Sequence, residues 1–449
     1  MSPASPAAEL SERTLARAGL TYLAEPGDPA LGALLGICEP EEILAAIKAN
    51  MLPGSGPGCG DSPASRAALE RALGRWRIRL PKLPGDADIA GACRAGIRLV
   101  CPEDPDWPGD LDQLGQARPY ALWLRGKADL RHSCQRSVSV VGSRAATGYG
   151  AHVAGEIAAD LAERGWTIVS GGAYGIDAAA HRGALATQGI TIAVLACGVD
   201  FPYPAGHAEL FADIAAHGQV VSEWPPGRQP ARMRFLVRNR VIAALSCGTV
   251  IVEAGERSGA LNTARHAAEL GKPLMAVPGP VTSAQSAGCH RIIREWGASC
   301  VTRAADIIEM LSPLSGTDEQ APAGPRFAGA GHAGAASAGA APAGAGSAGA
   351  GHAGAGSAGA GSAGGRGPAT PPGPGPTAPA WDPALPYDDL DADTTRVLDA
   401  FPARGGAGTS TIAVDAGVDL DTVLRCIGVL AGYGFIERGD DGWRLRRPS

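Results

Sequence analysis

The fold of this chain is decided by residues 137–170, whose sequence is SVSVVGSRAATGYGAHVAGEIAADLAERGWTIVS. A short β-branched run opens the stretch, and a second one closes it. Between them, Val153, Ile157 and Leu161 recur at the spacing of one helix face. A strand, a helix and a second strand in this order are typical of a parallel βαβ unit, in which the helix carries the chain back across the sheet.

Apolar runs continue this alternation towards the C-terminus. A helix is predicted from about Ile176, and further strands are predicted at 191–195, 219–222, 249–253 and 273–277. Strands that are apolar nearly throughout are typical of a parallel sheet that helices cover on both faces. The sequence therefore predicts an α/β fold with a Rossmann-like parallel sheet core over residues 136–312.

The rest of the chain divides into four regions. Residues 1–80 lack a strand-like run and predict a small helical domain, and residues 81–135 are predicted to connect it to the core and pack on it. Residues 313–384 are rich in Gly, Ala, Ser and Pro, a composition that buries too little apolar surface to fold, and predict a disordered linker. Residues 385–449 predict a winged helix with a helix–turn–helix bend at Gly417.

The composition is that of a globular, mildly acidic protein. The chain has 449 residues, a formal net charge of −6 and ten cysteines, none in a C-x-x-C pair, so the sequence predicts neither a metal nor a cofactor. Asp177 and His181, four apart on one predicted helix, are interpreted as a helix-start acid and a packing histidine. The chain start lacks the features of a signal peptide and no apolar run has membrane-span length, which predicts a cytoplasmic protein.

Glycine and small polar residues follow several of the predicted strands. The carboxyl ends of parallel strands meet at one edge of the sheet, where open α/β folds bind ligands. Glycine lets backbone N–H groups approach a ligand, and the start of the next helix adds a partial positive charge, which together suit phosphate groups. No G-x-G-x-x-G follows the first core strand, and the P-loop and nucleophile-elbow motifs are missing, so NAD, ATP hydrolysis and serine hydrolysis are not predicted.

Residues 228–240, RQPARMRFLVRNR, hold five arginines around Phe235 and no acid. Such a pattern suits a single nucleic-acid strand, because the cations hold the backbone while the ring stacks on a base. The alternative is a helix face whose arginines pair with acids elsewhere in the chain. The lack of interleaved acids favours the nucleic acid.

Seven motifs in order resemble the DprA/Smf family of DNA-processing proteins: VVGSR, SGGAYGIDAAAH, GVDFPYP, SEWPPG, FLVRNRVIA, VEAGERSGALNTA and AVPGP. The resemblance is dense over 137–300. It implies a non-catalytic protein that binds single-stranded DNA, forms a homodimer and loads the recombinase RecA onto incoming strands in natural transformation.

The resemblance also implies which residues bind DNA. Phe235 would stack on a base, and Tyr174 offers a ring where the family often has arginine. The complete predicted set is Gly142, Ser143, Arg144, Gly171, Gly172, Phe235, Arg238, Asn239, Arg240, Ser258, Gly259, Ala260 and Thr263.

The sequence is also compatible with two other functions. Related Rossmann-like enzymes of the lonely-guy type cleave nucleoside monophosphates with a glutamate near a phosphate loop, and Glu253 is the candidate here, although their P-G-G-x-G-T loop is missing. A nucleotide sensor that signals through the winged helix is the third reading. Residues 384–449 contain 11 acids and 7 arginines, and the predicted recognition helix has Asp421 and only Arg425 as a cation, which favours a protein-binding or regulatory winged helix.

Overall fold

The computed structural model describes residues 10–53, 63–312, 390–402 and 405–446. The predicted linker at 313–384 lies outside these described residues. Within them, no helix is both long enough and apolar enough to cross a membrane.

A nine-stranded sheet forms the centre of the protein, with the strand order β1-β2-β6-β5-β4-β3-β7-β8-β9. The strands from β6 to β9 in that order are parallel, whereas β2 runs antiparallel to both β1 and β6. The strands are β1 (Arg98–Val100), β2 (Leu122–Gly126), β3 (Ser137–Val141), β4 (Thr167–Ser170), β5 (Thr191–Leu195), β6 (Gln219–Ser222), β7 (Gly248–Ile251), β8 (Leu274–Ala276) and β9 (Ser299–Cys300).

The mostly parallel α/β architecture agrees with the sequence, and the six predicted strands lie at their predicted positions to within two residues. The sequence did not predict β1, β2 and β9. Two of these, β1 and β2, belong to the region predicted only to pack on the core, so the sheet extends about forty residues further towards the N-terminus than the 136–312 boundary.

Helices cover both faces of the sheet, which explains why its strands are apolar on both sides. On one face, Val141 and Ile251 pack with α10, α11 and α12; on the other, Val138 and Val250 pack with α7, α8 and α13. The helices up to residue 312 are α1 (Glu12–Leu23), α2 (Pro29–Leu34), α3 (Pro40–Lys48), α4 (Pro63–Ile78), α5 (Asp86–Arg94), α6 (Leu130–Gln135), α7 (Gly148–Glu163), α8 (Ile176–Ala186), α9 (Ala208–His217), α10 (Arg232–Leu245), α11 (Ala260–Glu269), α12 (Ala287–Glu295) and α13 (Ala304–Leu311). Short 3-10 helices occupy Leu80–Lys82, Gly109–Ala117 and Ala205–His207.

The C-terminal residues form three helices and a two-stranded antiparallel sheet with their own apolar core. Gly417 has a φ of +68° and ends α15 in the left-handed conformation that glycine adopts without strain. The elements are α14 (Ala392–Asp399), α15 (Thr409–Ala416), α16 (Leu420–Gly432), β10 (Ile436–Gly439) and β11 (Gly442–Leu445).

The strand order reverses at β3, and this reversal positions the candidate site. From β3 the chain moves outward through β4 and β5 to β6, and α10 then returns it to β7 on the other side of β3. The loops after β3 and β7 therefore lead in opposite directions and leave a crevice at the carboxyl edge of the sheet.

The close contact of α7 with α8 requires glycine, which gives the first prediction. A Cβ on Gly183 would lie 2.3 Å from the carbonyl oxygen of Gly155, so Gly183→Ala forces the two helices apart. We expect it to lower the free energy of unfolding by about 1–3 kcal/mol in urea titrations. Gly74→Ala in α4 is the control, because nothing lies within 4 Å of its Cβ, and we expect it to raise stability by about 0.5–1 kcal/mol. Equal effects of the two substitutions would contradict the packing argument.

Candidate nucleic-acid interface

The loop after β3 is held between its two neighbouring loops. The Ser143 N–H donates to the carbonyl oxygen of Glu253 at 2.7 Å, and the Ser143 carbonyl accepts from Ile176 N–H at 3.2 Å. Gly175, with a φ of +79°, lies so close that its Cβ would be 2.3 Å from the Ser143 carbonyl oxygen. Ser143 is buried, and the next side chain, Arg144, is exposed at the carboxyl edge.

Arg144 contacts the aromatic residue at the centre of the arginine stretch. Its guanidinium carbon lies 4.9 Å from the centroid of the Phe235 ring, within the range of a cation–π contact. On the same ring, Tyr203 packs at a centroid distance of 5.6 Å, and the guanidinium of Arg238 lies at 5.9 Å. An exposed cation and two rings, tilted at 50° to each other, are thus joined at the crevice.

Four aromatic side chains are exposed in the loops and helix start at this edge: Tyr149 at 45%, Tyr174 at 42%, Phe201 at 36% and Tyr203 at 38%. Aromatic residues make up only 5% of the chain, so their collection at one edge is selective. Sequence reasoning identified only Tyr174 among them. The sequence carries a signal for the others, because Tyr149 lies at a glycine-rich helix start after β3, and Phe201 and Tyr203 lie in a proline-containing loop after β5.

The predicted glycines are sites of close packing. A Cβ on Gly142 would lie 2.6 Å from the Ile176 side chain, and one on Gly171 would lie 2.7 Å from the Arg238 guanidinium. Gly172 has a φ of +67°, and its Cβ would meet the Phe211 ring at 2.5 Å. These glycines let the loops pack together.

Arg238 is 4% exposed and fixes the loop after β4 from inside. It donates to the carbonyl oxygens of Gly171, at 3.0 Å, and of Val194. Burial lowers its pKa to about 10 despite the opposing effect of Asp177. The Asp177 carboxylate accepts from the N–H groups of Gly171 and Ala173, at 3.1 and 3.4 Å, and burial raises its pKa.

Arg240 is 5% exposed and forms a two-pronged ion pair with Glu223, with both N–O distances at 2.6 Å. It also donates to the carbonyl oxygen of Ala117 at 3.0 Å. The prediction that Arg238 and Arg240 contact phosphates directly does not agree with this burial, because both guanidinium groups use their donors inside the protein.

The remaining predicted residues surround the start of α11. Asn239 is 8% exposed, and its amide donates to the Gly259 carbonyl oxygen at 3.4 Å. The Ser258 hydroxyl accepts from the N–H of Ala260 at 3.3 Å, and Thr263 is buried. Of this group, Gly259 is the exposed member.

The N-terminal half of the arginine stretch contacts the N-terminal helices. Arg234 donates to both carboxylate oxygens of Glu25, at 2.9 and 3.2 Å, and Arg228 donates to the Tyr22 carbonyl oxygen at 2.7 Å. Burial alone would raise the pKa of Glu25, but the charges of Arg234, Arg79 and Arg228 outweigh it and hold the pKa below its ordinary value. Arg234 and Arg240 therefore pair with acids elsewhere in the chain, whereas Arg228 and Arg238 donate to backbone carbonyl oxygens.

Glu253 is the candidate catalytic residue of the hypothesis that the protein cleaves nucleoside monophosphates. It is 2% exposed and binds the start of α7. Its two carboxylate oxygens accept from the N–H and the hydroxyl of Thr147, at 2.9 and 2.6 Å. A carboxylate at a helix N-terminus stabilises the helix through its unpaired donors. This engagement leaves Glu253 no exposed oxygen for a substrate.

His181 also has an internal partner, since its Nδ1 lies 2.7 Å from the Thr191 hydroxyl. Burial lowers the pKa of His181 to about 3. In the part of the chain that the structure describes, no group of three or more His, Cys, Asp or Glu side chains is arranged to hold a metal.

The outer face of α16 is apolar. Leu420, Leu424 and Tyr433 are 46%, 52% and 52% exposed, and Asp421 and Arg425 lie among them. Contact with duplex phosphates requires several cations. This face therefore suits a protein surface better than DNA.

Comparisons with known proteins agree on one family. The family model of DNA recombination-mediator protein A matches residues 98–312. A Mycobacterium tuberculosis relative named as a DNA processing protein DprA is 38% identical over 440 residues, covering 96% of this chain and 94% of the relative. Protein Smf of Escherichia coli is 43% identical over 194 residues, or 43% of this chain and 51% of that protein. The X-ray structure of DNA processing protein A from Streptococcus pneumoniae superposes with a TM-score of 0.53 and 30% identity, covering 67% of this chain and 98% of that chain.

The buried pair of Arg240 and Glu223 gives a stability prediction. Arg240→Ala leaves a buried carboxylate without its partner, and we expect the free energy of unfolding in urea to fall by about 3–5 kcal/mol. Arg265→Ala removes the same charge from the exposed pair with Glu269 and should cost less than about 1 kcal/mol. A double variant, Arg240→Met with Glu223→Leu, should be more stable than Arg240→Ala. Equal losses for Arg240→Ala and Arg265→Ala would contradict the assignment.

The lowered pKa of Glu25 gives a pH prediction. A carboxyl whose folded-state pKa lies below its unfolded value stabilises the fold above the unfolded pKa, and this contribution is lost as the pH falls towards the folded pKa. We therefore expect Glu25→Gln to be less stable than the wild type at pH 7, with a difference that shrinks steadily as the pH falls below about 5. Urea unfolding at each pH measures it. Glu70→Gln, in the exposed pair with Arg66, is the matched control. A difference independent of pH would show that Glu25 does not act through its charge.

Proposed function

The chain belongs to the DprA/Smf family of DNA-processing proteins, and from this premise we propose that it binds single-stranded DNA along the carboxyl edge of its sheet without catalysing a reaction. The observation that carries the proposal is the exposed Arg144 guanidinium 4.9 Å from the Phe235 ring, beside the exposed Tyr174 and Tyr203 rings. A cation for the phosphates and aromatic rings for the bases are the two elements of single-strand binding without sequence preference.

The geometry supports two classes among the predicted DNA-binding residues. Arg144 and Gly259 are exposed and are proposed to contact the strand, with Phe235 supporting the ring surface. The other residues are buried or closely packed and are proposed to hold the loops in place: Gly142, Ser143, Gly171, Gly172, Arg238, Asn239, Arg240, Ser258, Ala260 and Thr263. Substitution of the second class would act through loop geometry and stability.

The exposed rings supply the larger share of the proposed affinity. Stacking on an aromatic side chain is worth about 1–3 kcal/mol per base and accepts any base, because every base has a π-face. These rings come from three segments at the same edge, with Tyr149 after β3, Tyr174 after β4, and Phe201 and Tyr203 after β5, so successive bases can each find a ring. Exposed rings at the mouth of a crevice have a high cost in water, which a stacked base would relieve.

Family membership supports a proposal about the wider role. We propose that the chain acts in the cytoplasm as a homodimer that protects incoming single strands and loads RecA recombinase in natural transformation. We also propose that the N-terminal helices form a separate domain and that α14 to β11 form a winged helix. Since α16 exposes Leu420 and Leu424 and carries a single cation, Arg425, this winged helix is proposed to bind a protein.

A nucleoside-monophosphate hydrolase is the less favoured function. It would need the Glu253 carboxylate at the substrate, whereas both of its oxygens are bound to Thr147. No other observation on the described residues favours this reading over strand binding.

Arg144→Ala tests the proposed site directly. Binding to a single strand weakens with salt at a log–log slope of about −0.7 per phosphate neutralised, so the loss of one phosphate contact should make the slope shallower by about one unit. Fluorescence anisotropy with labelled oligo-dT across a salt series measures affinity and slope together. Arg164→Ala, which removes an exposed arginine at the far end of α7, is the control and should bind as the wild type does. If the affinity of Arg144→Ala for oligo-dT and its salt dependence are those of the wild type, the proposed interface is wrong.

A further inference from the structure

A cavity of about 390 Å³ lies between the N-terminal and the C-terminal helices, and none of the sheet-edge loop residues lines it. Four arginines line it. Arg71 and Arg75 lie four residues apart on one face of α4, and Arg79 comes directly after the end of that helix. Arg396 reaches the same cavity from α14.

The charges around the cavity do not balance. Only two acids line it, Glu25 and Asp28, so four arginines and two carboxylates leave a surplus of two positive charges. Asp28 pairs with Arg75 at 3.3 Å, and Glu25 is shared between Arg79 at 3.1 Å and Arg234 at 2.9 Å. The lining acids are therefore already engaged by arginines.

The other two arginines of the lining, Arg71 and Arg396, are not held by strong ion pairs within the described residues. Arg396 pairs with Asp393 on its own helix, where both side chains are more than 40% exposed, and such exposed pairs contribute little. Arg71 is exposed and has no ion pair with any of the residues that the structure describes. Both guanidinium groups can turn towards a ligand at small cost.

Arg79 adds a buried donor. It is 6% exposed and donates through its terminal nitrogens to the carbonyl oxygens of Leu23 and Asp415, at 3.2 and 3.0 Å. Its Nε atom has no acceptor among the described residues. Burial lowers the pKa of this arginine, so its positive charge is costly where it lies. A bound anion in the cavity would offset the cost of this buried charge.

We propose that this cavity binds a phosphomonoester, the group that a free nucleotide or the 5′ end of a DNA strand carries. A phosphomonoester has a charge of about −1.5 to −2 near neutral pH, which matches the surplus of the lining, whereas an internal phosphodiester carries a single charge. The planar guanidinium groups give the two-pronged donors that phosphate oxygens accept. The cavity volume falls within the range of small-ligand sites.

A ligand in this position would join two parts of the chain. Arg71, Arg75 and Arg79 belong to the N-terminal helices, whereas Arg396 belongs to the C-terminal ones. These parts already touch through Asp415, whose carboxylate pairs with Lys82. A phosphate held by both sets of arginines strengthens that contact, because it binds only the joined arrangement.

Isothermal titration of the full chain tests the proposal, with inorganic phosphate, thymidine 5′-monophosphate and thymidine as probes. We expect the two phosphates to bind and thymidine not to bind. The double variant Arg71→Ala with Arg396→Ala should weaken phosphate binding at least tenfold. Arg66→Ala, which removes an exposed arginine from the same α4, is the matched control and should bind as the wild type does. Both altered side chains are exposed, and circular dichroism checks that the variant folds.

A second experiment distinguishes a DNA strand end from a free nucleotide as the ligand of the cavity. It also distinguishes binding in the cavity from binding at the sheet edge. In an Arg144→Ala background, which weakens the proposed strand site, oligo-dT with a 5′-phosphate is compared with oligo-dT with a 5′-hydroxyl. Tighter binding of the phosphorylated strand assigns the cavity to strand ends, and equal binding together with monophosphate binding assigns it to free nucleotides. Unchanged phosphate binding by the Arg71–Arg396 variant, or thymidine binding as strong as that of its monophosphate, overturns the proposal whatever happens at the sheet edge.

Discussion

The structure depends on the burial of two guanidinium groups on α10. A buried arginine needs an acceptor for each donor, since an unpaired charge in the interior costs several kcal/mol. Arg238 finds its acceptors in the carbonyl oxygens of Gly171 and Val194, where β4 and β5 end, and Arg240 finds Glu223 after β6. These contacts join the ends of three parallel strands to the helix that returns the chain to β7. The loops at the carboxyl edge can take few other positions while both sets of contacts hold.

This internal framework explains how the surface at the edge is built. Because Arg238 packs from inside against Gly171, the loop after β4 comes close to the loop after β3, and Gly175 lies on the backbone of Ser143. Arg144 extends over the Phe235 ring that α10 itself supplies. The same helix thus provides the anchors beneath the edge and the ring upon it. A rigid support of this kind lowers the entropy that a surface loses when a strand binds.

The sequence predicted the parts of this arrangement that local pattern controls. The strands β3 to β8 are apolar runs with helices between them, and they lie where periodicity placed them. The strands β1 and β2 were not predicted, because RLV is too short for a pattern and LWLRG ends in a charge and a glycine. The arginine stretch was interpreted as a strand-binding surface because its acids are not nearby in sequence. Glu25 is 209 residues from Arg234 and Glu223 is 17 from Arg240, so only the folded chain brings them together.

The internal pairing of these arginines also bears on how an acidic chain can hold a polyanion. The salt dependence of binding reflects the number of cations that contact phosphates. An arginine that is already paired with Glu25 or Glu223 contacts no phosphate and so releases no counterion when a strand binds. With a net charge of −6 overall and Arg234, Arg238 and Arg240 engaged inside the protein, the attraction for a strand at the edge would come from exposed cations such as Arg144. On the proposed function, stacking on the exposed rings must then supply most of the affinity. Stacking is short-ranged and unaffected by distant negative charge, so a strand held mainly by its bases tolerates an acidic surface that would repel one held mainly by its phosphates.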